Sequence, residues 1–186
     1  MTIHPRNAPT SPTADALAAS LRALVPQIET PRLTLRAPVR EDFAAWTDIF
    51  CTDRAIHMDG PFSEDDAWLE FTLNCANWML LGHGMWTVTD KTGGVMGFVL
   101  IGFEPGDLEP ELGYMLLQSA EGQGFATEAA TAARDHATTR LHLPTLVSYI
   151  APDNAASRAV AQRLGARPDG MVDGCDVWRH HPKGPQ

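Results

Sequence analysis

The stretch that decides the fold is Glu111-Leu112-Gly113-Tyr114-Met115-Leu116-Leu117, followed by Gln118-Ser119-Ala120-Glu121-Gly122-Gln123-Gly124-Phe125-Ala126-Thr127-Glu128. Glu111 to Leu117 reads as a strand, and the residues after Gly124 open an alanine-rich helix to about Leu141. Between them, Gly122 and Gly124 let the backbone turn with its N–H groups inward, and the helix's first turn adds unpaired donors at the positive end of its dipole. Gly122, Gln123, Gly124, Phe125, Ala126 and Thr127 thus form an anion cradle that uses no lysine. Ala126, Ala129, Ala130, Ala133 and Ala137 keep the helix slim enough to lie close to a sheet and a ligand. A tight strand-to-helix turn without a ligand is the other reading of the same glycines.

Two nucleotide-binding motifs fail on these residues. A P-loop needs lysine directly after its glycines, and neither Lys91 nor Lys183 follows such a loop. A dinucleotide fingerprint needs a third glycine where Thr127 stands, and an acidic residue on the next strand, where Ser148 and Tyr149 stand.

Upstream, Leu33, Leu35 and Ala37 alternate with Thr34 and Arg36 as in a half-buried strand that Pro38 ends. Phe43, Trp46, Ile49 and Phe50 share one helical face, and Ser63 with Asp66 opens a second helix carrying Trp68, Phe71, Cys75, Trp78 and Met79. Met85 to Thr89 and Val95 to Phe103 read as a hairpin turning at Lys91-Thr92-Gly93-Gly94. Downstream come a strand from Thr145 to Ile150, a helix after Pro152-Asp153-Asn154 that Gly165 closes, and short strands near Arg167 to Val172 and Asp176 to His180. This order predicts one α/β (α+β) sandwich, a mixed and mostly antiparallel sheet flanked by helices. Residues 1–27 form a tail with a short helix, 28–181 the domain, and 182–186 a C-terminal tail. In that first helix Leu17, Leu21 and Leu24 share a face, expected to pack on its own domain, with a homodimer or lid contact as the alternative.

Composition sets the outer bounds. A chain of 186 residues makes one domain, and a net charge of −9 gives no electrostatic support for nucleic acid or anionic lipid. Cys51, Cys75 and Cys175 are odd in number and lack a Cys-x-x-Cys pair, against a disulfide framework or thiolate zinc site, so a cytoplasmic setting is expected. No signal or membrane-spanning stretch is visible. His57, His83, His180 and His181 lack metal-ligand spacing, so no metal is expected, and the last two are read as part of a frayed end.

Four segments in order resemble the GCN5-related N-acetyltransferase (GNAT) family, and within it the ribosomal-protein N-terminal acetyltransferase branch. They are Thr30-Pro31-Arg32-Leu33-Thr34-Leu35-Arg36, Glu111-Leu112-Gly113-Tyr114, the glycine loop through Ala129, and Asn154 with Ser157, Arg158 and Leu164-Gly165-Ala166. The family's loop pattern falls on Glu121 to Ala126 with one departure. Glu121 stands where a cation or amide is usual, and a carboxylate pointing inward there would repel a diphosphate.

The resemblance implies an acetyl-CoA-dependent N-acetyltransferase that moves an acetyl group directly to a primary amine. It implies that the strand before the loop splays from its neighbour, leaving backbone at Met115, Leu116 and Leu117 to pair with the pantetheine arm and an N–H to face the thioester oxygen. Ser157 is the implied proton donor, or a residue that merely satisfies the first turn of its helix. Asn154 is a pantetheine contact, a helix cap, or both. Glu111 is a base for the amine, or a strand-edge carboxylate that pairs with an arginine or orients a cationic acceptor, and Tyr114 is a third catalytic candidate or a core residue. The acceptor is a protein N-terminus or a small cationic amine, which the acidic residues Asp59, Glu64, Asp65, Asp66, Glu104, Asp107 and Glu109 would suit collectively. The alternatives are a non-catalytic acyl-CoA-binding sensor or scaffold, and an enzyme using another acyl-CoA such as succinyl-CoA.

Overall fold

Alternating apolar residues build one eight-stranded sheet in the computed structural model, which describes residues 4–104 and 106–180. His181 and the expected tail at 182–186 lie outside the described residues. In chain order the helices are α1 (Pro12–Arg22), α2 (Phe43–Phe50), α3 (Glu64–Leu80), α4 (Phe125–Thr139) and α5 (Ala155–Arg163). The strands are β1 (Ile28–Glu29), β2 (Leu33–Arg36), β3 (Met85–Asp90), β4 (Val95–Gly102), β5 (Glu111–Leu116), β6 (Val147–Ile150), β7 (Arg167–Val172) and β8 (Cys175–Arg179). They lie in the order β1-β2-β3-β4-β5-β6-β8-β7, antiparallel throughout except where β5 meets β6. The two-residue β1 has no periodicity to read and exists through its pairing with Thr34 and Leu35.

The pleat sends alternate residues to two different cores. On one face Trp86, Val88, Val99, Ile101 and Leu112 pack against the alanines of α4 and against Val160 and Leu164. On the other, Met85, Phe98 and Leu100 meet the aromatic face of α2 and α3, where Trp46 stacks on Phe50 with ring centroids 3.8 Å apart. Gly97, at φ 151°, lets β4 pass the end of β5, since a Cβ there would lie 2.2 Å from the Met115 carbonyl oxygen.

Three expectations at the ends of the chain are corrected. The leucine stripe meets its own domain only at one end: α1 buries no residue, Leu17 is 62% exposed and Leu24, just past the helix, 79%, while Leu21 and Leu24 line a groove with Pro38, Trp78 and Met79. Residues 4–8 are not a loose tail. His4 stacks on Phe43 at 5.8 Å, Arg6 pairs with Glu64, and the Ala8 carbonyl accepts from Arg40 at 2.8 Å. His180 is not frayed but buried, its N–H donating to the Leu146 carbonyl at 2.9 Å.

Candidate active site

The site opens where β5 and β6 part. Their parallel pairing is one bridge long, at Glu111 and Val147. The Val147 N–H donates to the Pro110 carbonyl at 3.0 Å, after which side chains take over from the ladder. The Ser148 hydroxyl donates to the Leu112 carbonyl at 2.6 Å, and the Tyr149 N–H donates to the Glu111 carboxylate at 3.2 Å. Both backbone groups are thereby satisfied while the strands separate, as buried polar groups require. With its only proton committed, the Ser148 hydroxyl accepts from His180 Nε2 at 2.9 Å. Burial, with Arg134 nearby, lowers the His180 imidazole to about 4, so it is neutral here.

Beyond Leu112 the exposed edge of β5 belongs to alternate residues. Leu117 gives its N–H to the Met96 carbonyl at 2.9 Å, and Met115 sits opposite Phe98 on the same β4 side. Tyr114 and Leu116 therefore turn their peptide groups into the cleft. Of the three residues expected to offer backbone there, Leu116 turns its peptide to the cleft side, whereas Met115 and the Leu117 N–H face β4 and the Leu117 carbonyl accepts from the Ala120 N–H at 2.9 Å.

The glycine loop has the expected form. Gly122 and Gly124 adopt left-handed φ values of 73° and 79°. Gly124 is the N-cap of α4 and supplies no side-chain cap, so the N–H groups of Phe125, Ala126 and Thr127 have no intrahelical acceptor. Arg32 and Glu128, neither of which the sequence reading assigned a role, hold this loop in place. The Thr30 hydroxyl and the Arg32 N–H both donate to one Glu128 carboxylate oxygen, at 2.6 and 2.9 Å, and Arg32 Nε donates to the other at 2.7 Å. Arg32 also donates to the Gln123 carbonyl at 2.9 Å and lies 4.6 Å over the Phe125 ring. Burial pushes the Glu128 carboxyl up, but these hydrogen bonds outweigh it and hold it below its ordinary value. A groove of about 600 Å³ beside the clasp is lined by Arg32, Gly124, Thr127, Thr131 and Arg163 among others.

Across the cleft, Asn154 caps α5 by accepting from the Ser157 N–H at 3.1 Å, which leaves the Ser157 hydroxyl out of the cap. Tyr114 is the residue of the expected catalytic set whose hydroxyl is already engaged. It packs against the core, and its hydroxyl donates to the Ser157 carbonyl at 2.8 Å, tying β5 to α5. Burial, and Glu111 nearby, push its phenol above the ordinary range, so it keeps its proton and clasps two elements together.

Among the described residues Glu111 pairs with no arginine. Burial, reinforced by Asp107 and Glu104, pushes its carboxyl up to about 8 against the opposing Tyr149 N–H. The acidic residues around it divide by role. Glu109 is bound to Arg179 at 2.6 and 2.7 Å, Glu64 pairs with Arg6, and Asp66 accepts from Ser63 at 2.7 Å, so these three serve the fold. Glu104 is raised by burial and then by Glu70, Asp107 and Asp59, which leaves those four carboxyls clustered on the approach to Glu111. Glu70 had no signal in the sequence, since it is one carboxylate on an amphipathic helix. Glu121 is exposed to solvent but does not stand alone: it pairs with Arg54, carried by the turn after α2. Among the described residues no group of three or more metal-type side chains forms, and no helix is long and apolar enough to cross a membrane.

Parting parallel strands, an uncapped helix start and a glycine loop together make a cleft whose backbone groups can hold an anionic ligand. The chain belongs to the GNAT acetyltransferase family, whose domain model matches residues 32–167. An acetyltransferase from Agrobacterium tumefaciens is similar, at 40% identity over 84% of this chain and 95% of that one, with a TM-score of 0.81. The fold is shared with RimL, a ribosomal L7/L12 alpha-N-protein acetyltransferase in complex with coenzyme A, at 20% identity, 86% and 100% coverage and a TM-score of 0.70. An uncharacterised N-acetyltransferase of Bacillus licheniformis, p20, is 32% identical over 45% of this chain and 46% of its own length. The chain spans about half the length of the curated relatives it matches.

Proposed function

We propose that this protein transfers an acetyl group from acetyl-CoA to a primary amine, a protein N-terminus or a small cationic amine. The observation that carries the reading is the single-bridge pairing of β5 with β6, which opens the peptide edge of Tyr114 and Leu116 directly before the uncapped start of α4. The residues suit such a ligand: backbone donors from Gly122 to Thr127 for a diphosphate, and an open strand edge for an amide-bearing arm. Bound acetyl-CoA would supply the activated acyl thioester. An inward N–H of Tyr114 or Leu116 is then an oxyanion donor, worth roughly 3 to 4 kcal/mol in the transition state.

Glu111 takes the amine proton directly or through water. Its value of about 8 lies close to the roughly 7.7 to 8.0 of an α-amino group, so little energy is lost in the transfer. Ser157, free of capping duty, returns a proton to the departing thiolate, and Asn154 orients the turn that carries it. The residual carboxyls Asp59, Glu70, Glu104 and Asp107 favour a cationic acceptor. The exposed leucines of α1 extend the proposal to a homodimer, for which sedimentation before and after Leu17→Glu is the check.

The test is thermal unfolding with acetyl-CoA, followed by thiol release with an amine panel. Saturation near 100 times Kd adds about 2.7 kcal/mol and several degrees, absent with NAD or ATP. Thiol release with some amine completes the reading. A shift without turnover for any amine or acyl-CoA would support a binding-only module, and no shift would refute the cofactor assignment.

A further inference from the structure

The departure at Glu121 has a counterpart far away in the chain. Arg54 Nη2 donates to the Glu121 carboxylate and, at 2.9 Å, to the Leu116 carbonyl, so one guanidinium joins the open end of β5 to the first residue of the glycine loop. Its base is fixed. Ala55 is fully buried, its N–H donates to the Thr52 carbonyl at 3.0 Å, and its carbonyl accepts from Met58 and Gly60 at 2.8 and 3.0 Å. The neighbouring His57 reaches Asp153 on the β6 side at 3.5 Å, so the segment spans the mouth of the cleft. Arg54 Nε is buried with no hydrogen-bond partner among the described residues. A guanidinium with a free buried donor is incompletely satisfied, and its planar fork suits phosphate oxygens better than one carboxylate oxygen.

We propose that Arg54 is a diphosphate-binding residue of this site, and that Glu121 is the anion it exchanges for the ligand. The inference builds on the acetyl-CoA reading above. Where the loop pattern expects its own cation or amide, this chain carries a carboxylate, and the guanidinium arrives from another element. Glu121 stores Arg54 at the cradle in the free protein. When a diphosphate enters, Arg54 turns to it and Glu121 is released towards solvent, to which its side chain is already 53% exposed. No covalent step is involved.

The experiment compares parent, Arg54→Ala, Arg54→Lys and Glu121→Gln in CoA binding by calorimetry. It then compares kcat/KM for acetyl-CoA with that for S-acetylpantetheine, which has the thioester but no diphosphate. Arg54→Ala should weaken CoA roughly ten- to a hundredfold, and its loss in kcat/KM should be clearly larger with acetyl-CoA than with S-acetylpantetheine. Arg54→Lys should recover part of the loss, and Glu121→Gln should bind CoA more tightly than the parent because the competing anion is gone. Equal CoA affinity in parent and Arg54→Ala overturns the proposal, as does an equal loss with both thioesters, which would make Arg54 a scaffold contact. Weaker CoA binding by Glu121→Gln overturns it independently, in a variant that leaves Arg54 intact. Absence of CoA binding by the parent would instead refute the acetyl-CoA reading, and this inference with it.

Discussion

The two walls of the cleft are built by different means. The loop wall, from Gly122 to Thr127, presents backbone N–H groups held by left-handed glycines and by the clasp of Thr30 and Arg32 on Glu128. The acceptor wall around Glu111 presents side chains, and its chemistry comes from burial and from carboxyls contributed by α3 and by the loop before β5. Backbone donors carry no titratable charge, so the first wall should respond to conformation and hardly to pH. The second should respond to charge and to pH.

The largest break in that comparison is expected at Glu111. Glu111→Gln should lower kcat about 10²-fold while CoA affinity is unchanged, measured by stopped assays and calorimetry in parallel. In the parent, kcat should climb with pH to a plateau above about 8, since the carboxyl must be ionised to act as a base. Equal pH profiles in parent and variant would move the base elsewhere.

On the loop wall the corresponding break is Gly124→Val. A left-handed φ of 79° costs a branched residue on the order of 1 to 2 kcal/mol or more, so KM for acetyl-CoA should rise roughly tenfold with little change in kcat. Steric crowding is not the cause, because the nearest atom to an added Cβ is Arg32 Nη2 at 3.5 Å. A fall in kcat at unchanged KM would contradict the division of labour between the walls.

Stability against pH sharpens the comparison within the acceptor wall. Glu111 is raised from its ordinary 4.5 to about 8, so the folded state holds more protons in that window and stability falls as pH rises through it. His180 is lowered from 6.5 to about 4, so there the unfolded state holds more protons and stability rises with pH. Between about 4.5 and 6.5 the two oppose each other, and the parent should be nearly flat before declining towards 8. Denaturant titrations of His180→Asn should decline across the whole window, and those of Glu111→Gln should rise and then level. Each slope approaches at most about 1.4 kcal/mol per pH unit.

The smallest effect is expected at the clasp. Glu128→Gln keeps the shape but loses the ionic part of its bonds to Arg32, for about 1 kcal/mol and a few degrees of Tm, with CoA affinity reduced less than by Gly124→Val. An affinity loss larger than that of Gly124→Val would mean that the clasp, rather than the glycines, sets the loop.

Most strands and helices other than β1 and β7 were legible because their apolar residues repeat at 2.0 or 3.6. So was the loop, since left-handed turns select glycine and Gly122 and Gly124 have that spacing. Asn154 could be read as a cap for a similar reason, a short polar side chain ahead of an apolar helical face. The orientation of Tyr114 was not legible, because an aromatic residue on a strand can face a cleft or a core. Nor was the exposure of the α1 leucines, since a stripe of apolar residues does not say what covers it.

By itself the sequence determined element order, the glycine cradle and the candidate residues, since each depends on dihedral preferences and spacings of a few residues. Only the tertiary structure decided that Glu128 answers Thr30 and Arg32, that Arg54 answers Glu121, and that Glu111 is half-buried near other carboxyls. These are meetings of segments tens of residues apart or more. Charge and desolvation act through space, so neither an ion pair nor a shifted carboxyl leaves a periodic trace along the chain.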